Sequence, residues 1–168
     1  MKIALVSPYD FPYPGGVTEH VRNLARSLSD VGHHVRIIAP SSRDDVEVAH
    51  PEVYRVGSHI TSVPANQSVA RLTLSLTLRG RITQILDHER FDVVHVHEPL
   101  VPVLAPLVLR ESRAANVGTF HCARDRYVGY ALGRQVFLSL LSRLDARITV
   151  SAEAHRFIHS YFPHQYSP

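Results

Sequence analysis

Two spacings of apolar residues alternate along the chain. Ile3-Ala4-Leu5-Val6, His34–Ala39, Asp92–Val96, Asn116–Phe120 and Ala146–Val150 are short, β-branched and apolar on both faces. Such runs mark strands of a parallel sheet covered on both sides. Between them the period shifts to 3.6. Val17, Val21, Leu24, Leu28 and Val31 predict a helix from Val17 to Val31, with Glu19 in its first turn and Gly32 as C-cap. Ile82, Ile85 and Leu86 predict a second helix over Arg79–His88. Val101–Arg113 is apolar enough for a third; Pro102 suits a first turn, and Pro106 must kink the helix or delay its start. Further helices are expected from about Leu132 to Leu144 and over Ala152–Tyr161. Val53–Gly57 and Ile60–Pro64 are short strand candidates, and Val69–Leu78 is strand or loop after turn residues Ala65–Ser68. Ser41–Pro51 is a polar surface loop, and the tail after Pro163 is unpatterned. The alternation predicts one α/β domain over residues 1–168: a Rossmann-like, doubly wound, mostly parallel sheet with helices on both faces.

The longest interruption of this pattern lies between the first strand and the first helix. Ser7-Pro8-Tyr9-Asp10-Phe11-Pro12-Tyr13-Pro14 carries three prolines, and Gly15-Gly16 follow. The prolines exclude regular structure, while the glycines permit positive φ or the close approach of a ligand. The helix that follows presents unpaired N–H groups and a positive dipole end, an anion site in outline. The loop lacks G-x-G-x-x-G and a Gly-Lys-Ser/Thr end, so neither a dinucleotide fingerprint nor a P-loop is present. That argues against a nicotinamide or flavin oxidoreductase.

Composition narrows the setting. The 168 residues are 45% hydrophobic with net charge +3, enough for one domain with a core. No apolar run reaches the ~18 residues of a membrane span. A strand directly after Lys2 leaves no signal peptide, and a lone Cys122 fits a reducing compartment, so a cytoplasmic location is expected. Basic residues are 17 Arg and one Lys. Arg71, Arg79 and Arg81 form one group, and Arg124, Arg126 and Arg134 another; either is a solvated face or a phosphate site. Without interleaved aromatics they do not form a nucleic-acid groove.

In doubly wound sheets ligands sit beyond the carboxyl ends of the strands. His97-Glu98-Pro99 and Phe120-His121 lie there, at the same edge as Gly15-Gly16. His121 is either a structural histidine or a ligand contact. His95 and His97 share one face of their strand. With no H-E-x-x-H motif or Cys-rich partner, His95, His97, Glu98 and His121 do not read as a metal site, and none is expected. His95 reads as a packed strand histidine, while His97 and Glu98 read as residues that order the loop.

Taken as a set, several segments resemble the N-terminal half of GT-B glycosyltransferases of family 4. They are Met1–Pro8 with Gly15-Gly16-Val17, Gly32-His33-His34-Val35, Asp92–Pro99, Thr119-Phe120-His121 and Ala146–Ser151. Ser7-Pro8-Tyr9, Pro14–Val17, Asn66–Leu72 and His97-Glu98-Pro99 are most similar to the bacterial phosphatidylinositol α-mannosyltransferases that use GDP-mannose. The resemblance implies a retaining transferase with its site in a cleft between two Rossmann-like domains. It places Gly15 and Gly16 at the donor diphosphate and His121 at the transferred sugar. Tyr9, Asn66, Arg71 and Arg126 line the pocket for a phosphorylated lipid or glycan acceptor. It implies no cofactor, since the nucleotide-sugar is a substrate, and peripheral contact with the inner face of the plasma membrane. Two departures stand out: Arg79 and Arg81 alone fall where those enzymes carry a Lys/Arg-rich amphipathic helix, and Ala65 replaces a Tyr. The Glu-x7-Glu donor motif is absent, so the chain is expected to be the acceptor-side domain of a longer parent and inactive without its C-terminal donor domain. The competing expectation is a non-catalytic Rossmann-like binding or assembly domain.

Overall fold

The computed structural model describes residues 1–43, 53–65, 68–123, 130 and 133–164. Among these described residues, eight strands and five helices follow in order: β1 (Lys2–Val6), α1 (Gly16–Asp30), β2 (His34–Ala39), β3 (Val53–Arg55), β4 (Ile60–Ala65), β5 (Ser68–Thr73), α2 (Arg79–Glu89), β6 (Val93–His97), α3 (Leu104–Glu111), β7 (Ala115–Phe120), α4 (Arg134–Leu141), β8 (Ala146–Thr149) and α5 (Ala152–Tyr161). A 3-10 turn at Leu76–Leu78 leads into α2.

Six strands form one sheet in the order β3-β2-β1-β6-β7-β8, and every pair in it is parallel. The chain builds outward from β1 through β2 to β3, then returns to lay β6 on the other side of β1. This reversal makes the β1–β6 boundary the topological switch point. Period-2 alternation splits the core in two. Ile3, Leu5, Val35 and Ile37 face α1 through Val21 and Ala25. Ala4, Val6, Val94 and Val96 face α2 to α5 through Ile82, Leu104, Leu141 and Ile158, among others. Helices therefore cover both faces, among the described residues α1 on the first and α2 to α5 on the second.

Two details refine the sequence expectation. The strands of the Ile60–Thr73 stretch pair as an antiparallel hairpin outside the main sheet, with Ile60 opposite Thr73 and Ser62 opposite Arg71. Helix α3 takes the delayed start of the two outcomes Pro106 allowed: it begins at Leu104, which places Pro106 third in the helix, where the missing N–H has no intrahelical acceptor to lose. Among the described residues no helix is long and apolar enough to cross a membrane.

Candidate functional site

A cleft of about 500 Å³ opens at the carboxyl ends of β1 and β6. Tyr9, Gly15, Gly16, Arg71, Glu98 and His121 line it, so these six sequence-predicted residues meet in one place. His97 lies behind them, fully buried, against His121. Asn66 and Arg126 lie outside the described residues. A second cleft, about 520 Å³, sits at the amino-terminal pole beside Arg90, Glu111 and Arg113. Helices α2 and α3 end there, and helix C-termini disfavour anions. Strand polarity and helix polarity both select the first cleft.

The loop from β1 to α1 is held by residues that periodicity does not reveal. Asp10 is buried, and its carboxylate accepts hydrogen bonds from the Ser42 N–H (2.8 Å), the Ser42 hydroxyl (2.8 Å) and Arg71 Nε (3.0 Å). The Asp10 N–H also donates to the Arg71 carbonyl at 2.9 Å, and Tyr9 bridges to Leu72. Phe11 inserts into the α1 core, and its carbonyl accepts from Arg22 at 2.6 Å. These contacts tie the hairpin to the loop and fix Arg71 at the mouth of the cleft. The Arg71 guanidinium stacks 3.9 Å over the Tyr13 ring. With Nε on Asp10, its two terminal nitrogens have no hydrogen-bond partner among the described residues.

The two glycines work differently from one expectation. Gly15 is the N-cap of α1 at φ −174°, extended backbone that any residue adopts, and no side chain caps the helix. A Cβ on Gly16 would meet nothing within 4 Å. Neither positive φ nor internal packing calls for these glycines. They leave open the space in front of the first N–H groups of α1.

Four imidazoles gather on the α1 face of β6 and β7. His95 and His97 stack at 4.5 Å, as their shared strand face requires. His95 Nε2 lies 2.6 Å from the Thr119 hydroxyl. His97 Nδ1 lies 3.0 Å from His121 Nε2, while His97 Nε2 is buried without a hydrogen-bond partner among the described residues. His20, exposed on α1, packs its ring edge-on at 4.9 Å from His121 and 5.4 Å from His97. Burial, with neighbouring imidazoles adding to it, holds His95 and His121 down to about 4 and His97 well below its ordinary value. The rings of His95, His97 and His121 are therefore neutral at pH 7.

Glu98 stands beside His121. It adopts φ +52°, and its carboxylate accepts the His121 N–H at 2.7 Å. Burial pushes it up to about 7, against the pull of the His121 and Cys122 backbone amides. The group thus fixes the backbone on which His121 stands. Asp10 and His20 are the residues of this candidate site that sequence reasoning missed. Asp10 sits in a proline-rich loop with no periodic signal. His20 flanks the apolar stripe between Val17 and Leu24, and that helical position was its one clue.

A profile of glycosyltransferase family 4 matches residues 14–166. The phosphatidyl-myo-inositol mannosyltransferase of Propionibacterium freudenreichii is 35% identical over 96% of this chain, which covers 43% of that protein. The enzyme of the same name from Mycolicibacterium smegmatis is 34% identical over 94% of this chain and 40% of its own length. The chain therefore spans about two fifths of the curated relatives it matches. Among solved structures, a sucrose-phosphate synthase from Thermosynechococcus elongatus superposes with TM-score 0.65 at 14% identity, over 99% of this chain and 46% of that one. That likeness shows the GT-B type of fold.

Proposed function

This chain belongs to glycosyltransferase family 4, and from that premise we propose that it is the acceptor-side, N-terminal domain of a retaining mannosyltransferase. Its parent would move mannose from GDP-mannose to a phosphatidylinositol-type lipid, with the donor held chiefly by a C-terminal domain. The observation that supports this reading best is the convergence of an uncapped helix N-terminus, a neutral imidazole and a guanidinium on one cleft at the switch point.

Each group has a task in that reaction. Gly15 and Gly16 leave room for the donor diphosphate against the N-terminus of α1, whose dipole stabilises the charge that develops as the nucleotide leaves. His121 meets the transferred sugar through Nδ1, since Nε2 faces His97. Arg71 offers two parallel donors to the acceptor phosphate, beside Tyr9; Asn66 and Arg126 are assigned to the same pocket by the family resemblance. His97 and Glu98 position His121 from behind. The donor is a substrate, and no resident cofactor takes part. A headgroup acceptor brings the domain to a lipid surface as a peripheral protein.

Equilibrium titration of the chain with glycerophosphoinositol tests the acceptor assignment. Saturable binding is expected, weakened about 10–100-fold by Arg71→Gln, the scale of a lost charge-assisted pair of hydrogen bonds. Binding indifferent to Arg71, or none at millimolar headgroup, would overturn it.

A further inference from the structure

The imidazole cluster holds more than the transfer reaction uses. His20, His97 and His121 each bring a ring nitrogen to within 4.8 Å of the other two. They come from three separate elements: α1, the end of β6 and the residue after β7. His97 and His121 already approach to 3.0 Å. His20 has ring contacts with both, and no side-chain hydrogen bond among the described residues.

We propose that His20, His97 and His121 form a site for a borderline divalent transition cation of the Zn²⁺ class, with water in the fourth position. Three nitrogens around such an ion at about 2.0–2.1 Å are spaced about 3.3 Å apart in tetrahedral geometry. The His97–His121 pair is close to that spacing. The remaining closure falls to His20, an exposed side chain on the second turn of α1. Imidazole nitrogen is the ligand type that suits Zn²⁺, Cu²⁺ and Ni²⁺, whereas the hard cations Mg²⁺ and Ca²⁺ require oxygen. His95 stays outside the set because its Nε2 is engaged with Thr119. Glu98 stays outside because its carboxylate is turned to the His121 and Cys122 amides.

The cation would not serve transfer. It would engage His121 through Nε2, on the side away from the Nδ1 assigned to the sugar, so it would not take the sugar's place; that assignment rests on the glycosyl-transfer reading, and the binding claim itself does not depend on it. A rival exists on α5, where His155 and His159 stack at 5.3 Å one turn apart and offer two ligands to the same metals.

Titration of the chain with Co²⁺ at pH 7.5, followed by visible absorbance and by displacement with Zn²⁺, separates the two. One equivalent is expected to bind first, with the intense bands of a low-coordinate Co²⁺ centre. His20→Ala leaves the core intact, because the residue is exposed, and should weaken that first event at least as much as the ~10–100-fold lost when an outer-shell partner of a metal ligand is removed. His121→Ala should do the same, and His155→Ala should leave it unchanged. A first event unaffected by His20→Ala, one abolished by His155→Ala, or no stoichiometric uptake at all would overturn the proposal.

Discussion

Replacing His121 by alanine, in a protein that also carries the donor-binding domain, is expected to lower mannosyl transfer by about 10²–10³-fold in kcat. The donor KM should change little, since the lost contact matters most as charge develops at the sugar. The structure supplies three reasons. The ring lies at the carboxyl edge of β7 within the cleft, beside Glu98 and across from Gly16. His97 sets its orientation at 3.0 Å, and the buried Glu98 carboxylate grips its backbone N–H. Its pKa is held to about 4 by burial. The sign of that shift matters: a ring depressed from 6.5 to about 4 stays neutral as pH falls through 6, and charges only near pH 4. A pH–rate profile should therefore show no limb from His121 between pH 5 and 8. Turnover unchanged by His121→Ala would remove this residue from the site.

The second large effect falls on stability. Arg71→Ala strips the cation from Asp10, whose side chain is fully buried. Breaking a buried pair from one side costs about 3–5 kcal/mol. The Arg71 side chain is 32% exposed, and Ser42 still donates twice to the carboxylate, so the loss should be nearer 2–3 kcal/mol. For a domain of this size that lowers Tm by about 5–10 °C. Adding Asp10→Asn should restore part of the loss, because the orphaned charge disappears with it. An unchanged Tm in the single variant, or a further fall in the double variant equal to the sum of the two single effects, would show that the pair does not hold the loop. The same pair explains why the hairpin belongs to the site: it aims Arg71 only because Asp10 ties β5 to the loop.

Much of the framework was legible before any coordinates. β1, β2, β6 and β7 are short apolar runs, and α1 shows its core stripe at Val17, Val21, Leu24 and Leu28. Once strand direction is known, Gly16, Glu98 and His121 must share an edge, because parallel strands end at the same pole. What escaped depends on contacts distant in sequence. Asp10 is buried only because Ser42 and Arg71 come to it. His20 approaches His121 only after the sheet sets β7 two strands away from β1. The antiparallel hairpin was obscured because Ile60–Ala65 mixes Thr, Ser and Pro with its apolar residues and belongs to no large sheet. Local periodicity encodes elements; it does not encode which polar side chain an element meets across the fold.

As proposed, this chain is one half of a mannosyl-transfer site. The most direct measurement is transfer of labelled mannose from GDP-mannose to phosphatidylinositol, run with the chain alone and with the chain joined to a family 4 donor-binding domain. No steady turnover is expected from the chain alone, and a mannosylated lipid of retained configuration is expected when the donor domain is present. Steady turnover of GDP-mannose by the 168 residues alone, or no transfer by the joined protein despite binding of both substrates, would contradict it.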